Sequence, residues 1–315
     1  MVSIIIPTFN RAHLIGETLN SILAQTFLDW ECIIVDDGST DHTEKVVESY
    51  IKKDNRFKYH QRPKEHLPGG NGARNYGLKK ATGTYVVFFD SDDLMTTDHI
   101  EVKINAIHNS NYDYVISKTK NISGIDERLE VWYALIRTDF TAENYIMQHI
   151  NWLTPDVCIK NKLAKSISFN EVLKSGQEYN YFSKLVMKSV NALFVEKHLT
   201  LRRIHEQSIR SGLKNRPEKM ISAYVAFWVT YLDIRDDANT QIKKRLLFIC
   251  ITMIYKDSTI RYPHQFSLIK TVFKEFGIWE GINFVLMLYF NKYFKKGYTF
   301  RQNIKKKIVE KQFSN

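Results

Sequence analysis

The chain of 315 residues is 44% hydrophobic and 13% aromatic, with only 13 Gly and 6 Pro, which excludes fibrous and disordered classes and supplies a sizeable core. Its formal charge of +11 is uneven: residues 1–215 carry 27 Lys and Arg against 26 Asp and Glu, whereas residues 216–315 carry 18 against 8. A near-neutral body of residues 1–215 and a basic region of residues 216–315 are therefore the expected domains, the second suited to surface binding rather than chemistry.

Val2 to Pro7 predicts a buried strand, followed by the loop Thr8-Phe9-Asn10. The same opening, Met1 to Ile6, lacks the basic start of a signal peptide. Ile15, Leu19, Ile22 and Leu23 have helical spacing, and Glu31 to Val35 predicts a second buried strand ending at Asp36-Asp37-Gly38. Asp41 and Glu44 have the spacing of a capping box opening a helix through Val46, Val47, Tyr50 and Ile51. Phe57 to Gln61 predicts a third strand, Pro68 to Gly72 a turn into a helix over 73–81, and Tyr85 to Phe89 a fourth strand. Such β-α-β-α-β-α-β order with short loops predicts a mostly parallel α/β sheet covered by helices, with ligands at the carboxyl ends of its strands. Asp36-Asp37 and Asp90 to Asp93 both lie at such ends. Ile100, Ile104 and Ile107 predict a further helix and Tyr112 to Ser117 a strand; helix and strand then mix to about Arg203. From Pro217 the chain predicts helices, with runs at 241–256, 265–276 and 278–294. Its longest apolar runs, Leu246 to Ile254 and Ile282 to Phe290, are about half a membrane span. Cys32, Cys158 and Cys250 are far apart and odd in number, so neither a disulfide framework nor a CxxC metal site is expected, and the interior of a cell is the expected compartment.

Three carboxylates, Asp90, Asp92 and Asp93, follow an apolar run within four residues. Crowded like charges raise one another's pKa. Mg²⁺ or Mn²⁺, held with the oxygens of a substrate diphosphate, would offset them; a solvated acidic turn or helix cap is the alternative. One of Asp36 and Asp37 suits a nucleobase or ribose, while Asp41 suits capping. Gly70-x-Gly72-x-x-Asn75 lacks the third glycine and the preceding strand of a dinucleotide fingerprint, so Arg74 is better matched to a phosphate or carboxylate near a helix start.

Four motifs together, Ile6-Pro7-Thr8-Phe9-Asn10-Arg11, Val35 to Asp41, Gly72-Ala73-Arg74-Asn75-x-Gly77 and Phe89 to Asp93, resemble those of family 2 inverting glycosyltransferases of the GT-A fold, over residues 1 to about 210. The resemblance implies that Pro7, Thr8, Asp37, Arg74, Asp90 and Ser91 bind a nucleotide sugar, with Thr8 and Asp37 at the base or ribose. It implies that Asp92, with Mn²⁺ or Mg²⁺, serves the diphosphate. The family's catalytic base is usually Glu-Asp after a glycine; here Gly176-Gln177-Glu178 puts Glu178 in that role, one methylene longer. The alternative for Glu178 is an acid favoured by the helix dipole. In Leu201 to Ser208, Arg203 is expected on the diphosphate and His205 on the metal. The implied reaction transfers a sugar, UDP-linked by the resemblance, to a hydroxyl of a glycan or lipid-linked glycan with inversion, in bacterial-type surface polysaccharide or glycolipid synthesis.

A nucleotidyltransferase would need a basic Gly-rich loop directly after the first strand, where Pro7-Thr8-Phe9-Asn10 stands. A non-catalytic carbohydrate- or nucleic-acid-binding protein remains the rival; with carboxylates at all the expected places, no nucleic acid partner is expected. The tail residues Lys292, Lys295, Lys296, Arg301 and Lys305 to Lys307 adjoin the apolar Phe284 to Phe290. They fit either an anchor on an anionic membrane, at the inner face of the plasma membrane, or a packed helix with a solvated basic face.

Overall fold

The computed structural model describes residues 1–108, 110–122, 133, 139–204 and 215–309. The chain forms two compact units, Met1–Ser208 and Ile209–Asn315.

The first unit is built on one eight-stranded sheet. Its strands are β1 (Val2–Thr8), β2 (Trp30–Asp36), β3 (Phe57–Gln61), β4 (Tyr85–Phe88), β5 (Leu94–Met95), β6 (Tyr114–Asn121), β7 (Val157–Lys160) and β8 (Ala192–Arg202), in the spatial order β3-β2-β1-β4-β7-β6-β8-β5. β3, β2, β1 and β4 are mutually parallel, with Ile4 facing Cys32 and Val87 in the register. β7 runs antiparallel between β4 and β6, β8 is parallel to β6, and β5 is antiparallel to β8. The helices are α1 (Ile15–Leu23), α2 (Thr43–Ile51), α3 (Gly70–Lys80), α4 (His99–Ile107), α5 (Ala142–Ile146), α6 (Asn161–Ala164) and α7 (Gln177–Lys188).

β1 is apolar at every central position because both of its faces are covered. Val2, Ile4 and Ile6 share a core with Leu19 and Ile22 of α1, Val47 of α2 and Ile100 and Ile104 of α4. Ile5 points the other way, onto α3, where a Cβ on Gly77 would lie 2.5 Å from Ile5 Cγ2. Glycine is thus required there for the helix to lie this close to the strand, and any larger residue would push the Arg74 turn off the sheet. On that face Phe88 packs edge-on against Phe169 and Tyr181.

The expected capping box does not form. α2 starts at Thr43, and its cap residue His42 makes no side-chain hydrogen bond. Asp41 instead accepts from the Thr43 amide (2.9 Å) and the Ala12 amide (3.1 Å), tying the loop after β2 to the loop after β1. Thr43 occupies the first helical position, so Glu44 falls at the second, one short of the third position from which a capping-box Glu reaches back to the cap.

The second unit is helical: α8 (Arg216–Ile234), α9 (Thr240–Lys256), α10 (Gln265–Phe276), α11 (Ile278–Phe294) and α12 (Tyr298–Val309). Asn215 and Asn239 cap α8 and α9 through the amides of Glu218 and Ile242. Tyr224, Trp228, Leu246, Cys250, Leu268, Phe284 and Met287 are buried. Of the two readings of the tail, the packed helix describes α12: Ile304 and Ile308 are buried, and Arg301 donates to Thr252 Oγ1 (3.2 Å) beside the rings of Phe248 and Tyr255. Lys305, Lys306 and Lys307 are exposed. No described helix is long and apolar enough to cross a membrane.

Candidate active site

The carboxyl ends of β1, β2 and β4 converge. Thr8 ends β1 and its carbonyl accepts the Asp37 amide at 2.9 Å, which brings the two expected base- or ribose-binding residues side by side. The adjacent aspartates divide sharply. Asp36 is buried and uses both oxygens internally: Oδ1 accepts the amides of Gly38 (2.9 Å) and Ser39 (2.7 Å), and Oδ2 accepts the Tyr59 hydroxyl (2.8 Å). Asp37 is ion-paired with Arg62 directly after β3. Asn10, at a left-handed φ of 52°, accepts the Thr40 amide at 2.8 Å and donates its own amide to Ser39 Oγ (2.8 Å), closing the floor of this corner.

After β4, the crowded carboxylates separate into three environments. Asp90 accepts from Arg74 Nη2 at 2.6 Å. Asp92 lies 3.5 Å from Arg11 Nε. Asp93 turns inward: it is buried, its Oδ1 accepts the Arg203 amide (3.1 Å), and burial with the charges of Asp90 and Asp92 pushes its pKa well up. Protein cations thus meet part of the crowding that the sequence assigned to a divalent ion. Ser91 is buried, and the carbonyls of Ser91 and Asp93 both accept from Thr18 Oγ1 of α1, at 3.1 and 2.8 Å, which fixes the turn.

Arg74 sits in the first turns of α3 and is buried, with its guanidinium over the Phe169 ring at 5.4 Å. Phe169 in turn stacks on Tyr181 of α7 at 4.1 Å. α7 begins after Gly176, whose φ of 70° makes the sharp entry, and carries Glu178 in its first turn. One Glu178 oxygen accepts the Thr154 amide at 3.3 Å. The turn bearing Thr154 is pinned from behind. Asp156 accepts from Tyr133 (2.7 Å), Thr119 (2.7 Å) and the Leu153 amide (2.8 Å), and burial pushes its pKa up to about 6. Fully buried Lys103 donates to the Pro155 carbonyl (2.7 Å) and contacts His99 Nε2 (2.8 Å), burial lowering its pKa to about 8.

Arg203 lies beside this cluster through its amide on Asp93 and pairs with Glu17 of α1. Pro7 precedes Thr8 in β1, opposite Val35. His205 lies outside the described residues. Sequence reasoning gave no role to Arg11, Thr18, Tyr59 or Arg62. The one available signal was position, for Arg62 directly after one parallel strand and Arg11 shortly beyond another.

Thr8 Oγ1, Arg74 Nε and Arg203 Nη1 are buried and bond to nothing among the described residues. Buried polar atoms ordinarily have partners, so this edge has donors to spare for an oxygen-rich ligand. For a divalent cation the donors are Asp90 and Asp92; no group of three potential ligands converges among the described residues. That suits Mg²⁺ or Mn²⁺, which take one or two carboxylates and complete their shell with substrate phosphate and water.

A parallel sheet continued by an antiparallel insertion, with carboxylates and arginines at the switch, defines a GT-A-type α/β domain. The model of glycosyl transferase family 2 matches residues 3–173, and the chain belongs to that family. An uncharacterized glycosyltransferase of Rickettsia felis is 33% identical over 180 residues, 56% of this chain but 29% of its own length. The chain thus spans under a third of the length of the first curated relatives it matches. WfgD of Escherichia coli, a UDP-Glc:alpha-D-GlcNAc-diphosphoundecaprenol beta-1,3-glucosyltransferase, is 37% identical over 116 residues, covering 36% of this chain and 44% of WfgD. Among solved structures, Staphylococcus aureus TarS 1-349 with UDP-GlcNAc superposes with a TM-score of 0.68 at 21% identity, over 100% of this chain and 93% of that one. The mannosyltransferase PcManGT of Pyrobaculum calidifontis, with GDP-Man and Mn²⁺, gives 0.57 at 16% identity, over 99% and 87%. These two likenesses establish the fold.

Proposed function

We propose that the protein is an inverting, metal-dependent glycosyltransferase that moves a sugar from a UDP-sugar to a hydroxyl of a glycan or lipid-linked glycan, in surface polysaccharide or glycolipid synthesis at the inner face of the membrane. The observation that carries this reading is the unmet hydrogen-bonding capacity of Thr8, Arg74 and Arg203 around paired carboxylates at the strand ends. Thr8 and Asp37, with Pro7 behind them, hold the base or ribose. Asp90, Ser91 and Arg74 form the wall along the sugar and diphosphate, and Arg203 adds a second cation. Asp92, with Asp90, holds Mn²⁺ or Mg²⁺, which when bound neutralises charge on the diphosphate. Glu178 takes the proton of the acceptor hydroxyl as that oxygen attacks the anomeric carbon, whose bond to the diphosphate oxygen breaks so that UDP leaves with the electron pair. The Thr154 amide orients the Glu178 carboxylate, and the buried Lys103–Asp156 turn keeps that amide in place. UDP is supported by the names of WfgD and TarS's ligand, and a lipid-linked acceptor by WfgD.

Glu178→Gln tests the assignment, since it removes the proton acceptor at nearly constant shape. Transfer to a soluble acceptor falls ~100-fold or more, while calorimetric donor affinity stays within about twofold. Donor binding without transfer over a broad acceptor panel, in the parent protein, would instead identify a non-catalytic carbohydrate-binding protein.

A further inference from the structure

α11 is apolar on two faces. Its inner face, Gly281, Phe284 and Met287, is buried in the helical unit. Its outer face carries Ile278 (70% exposed), Trp279 (76%), Ile282, Val285, Tyr289 (53%) and Tyr293 (61%). At 100° per residue these six fall on one arc of about 120° along the whole helix. The acid of this helix, Glu280, is turned inward and buried, so no carboxylate of α11 lies on that arc. Lys292, Lys295 and Lys296 gather at the carboxyl end, Lys292 over the Tyr293 ring at 5.2 Å. On the neighbouring α10, exposed Phe266 has Lys270 over its ring at 4.5 Å.

A helix apolar all round is ordinarily buried or seated on something. Both the ring types and the charge say on what. Trp and Tyr beside Lys are the side chains that settle at the boundary between lipid tails and headgroups. The face has cations and no acid, within a region of 18 Lys and Arg against 8 Asp and Glu. A second copy of the chain would bring these lysines against their own mates, whereas an anionic headgroup layer complements them. At 17 residues α11 lies along a surface and does not span it.

We infer that the outer face of α11 is the surface by which the protein docks on an anionic lipid bilayer. The acceptor reading above gives this docking a purpose, and the surface itself is independent of the catalytic assignment. It places the anchor on α11 and the lysines at its carboxyl end, not on α12, whose Ile304 and Ile308 are buried in the helical unit.

The full chain is sedimented with vesicles of phosphatidylcholine alone and of phosphatidylcholine mixed with phosphatidylglycerol. Binding is expected to the mixed vesicles, weakened by salt that screens exposed charge beyond about 8 Å. Trp279→Ser with Tyr289→Ser lowers the partition about tenfold or more, from the apolar surface withheld from the membrane. Lys292→Gln with Lys296→Gln lowers it about fivefold per charge. All four positions are exposed, so melting curves should match the parent. Equal binding by the aromatic double variant overturns the proposal, and so does equal binding to neutral vesicles. Absence of vesicle binding with a parent dimer that the aromatic variant dissociates, seen by sedimentation velocity, overturns it in favour of a second copy. Turnover of donor onto a soluble acceptor is measured alongside. Its loss in the parent would sink the catalytic reading and leave the vesicle result standing.

Discussion

Glu31→Gln should cost the first unit about 3 kcal/mol at neutral pH without touching the chemistry. Glu31 lies at the amino end of β2, the opposite end from the site. Its Oε1 accepts from Ser3 Oγ of β1 (2.6 Å) and from the amide and hydroxyl of Thr82 ahead of β4 (both 2.8 Å); Oε2 accepts Lys58 Nζ of β3 (2.6 Å). One carboxylate thus clamps all four parallel strands. Burial alone would raise its pKa, yet Lys58, Ser3 and Thr82 outweigh burial and hold it at about 2. A free Glu titrates near ~4.3, and the difference converts to about 3 kcal/mol. The folded pKa is depressed, so the stabilisation is complete above the unfolded value and is lost as pH falls through the folded one. At pH 3 about half remains. Melting curves followed by circular dichroism from neutral pH down to pH 3 test this. The Gln variant should melt roughly 6–12 °C lower at neutral pH, and the gap should halve at pH 3. A gap that stays constant with pH, or none at all, refutes the clamp. So does a variant whose donor affinity changes as much as its stability, since the clamp makes no contact with the site.

Asp92→Ala should abolish the Mn²⁺ dependence of donor binding in calorimetry; the same dependence in the variant would remove Asp92 from the metal. Ile304→Asp places an unpaired charge in the packed side of α12 and should cost about 3 kcal/mol or more, visible as loss of a cooperative melt of the helical unit, whereas Lys306→Gln on its exposed side should change stability by under about 0.5 kcal/mol.

The parallel half was legible because a strand covered on both faces is apolar along its middle, as Ile4 to Ile6, Cys32 to Val35 and Tyr85 to Phe89 are. The runs at 265–276 and 278–294 matched to the residue, and that at 241–256 to within one, because their apolar periodicity is unbroken. β7 was not legible: four residues, Val157 to Lys160, behind Pro155 carry no period of their own and become a strand only between β4 and β6. In the site, position along the chain located the carboxylates but not their partners. Asp36 and Asp37 are equivalent in sequence; what separates them is that Tyr59 and Arg62, more than twenty residues on, each reach one of the two. Likewise nothing in Asp90 to Asp93 marks Asp93 as the one turned inward, because that depends on Thr18 and Arg203 holding the turn from other elements. Asp41 and Glu44 matched a local pattern, and a contact with Ala12 from another loop overrode it.

The sheet's two margins bear on aggregation. An open sheet margin presents unpaired backbone groups that recruit strands from other molecules. Here one margin is β5, only two residues long and too short to serve as a template. The other is β3, which carries exposed Lys58 and Gln61, is flanked by Arg56 and Arg62, and stops before Pro63. A foreign strand pairing there meets cations along its length and a residue without an N–H at its end. The strand that supplies Tyr59 to the site, with Arg62 directly after it, is therefore also a guarded boundary, and replacing its charges with β-branched residues would open a path to fibril-like growth while also removing Lys58 from the Glu31 clamp.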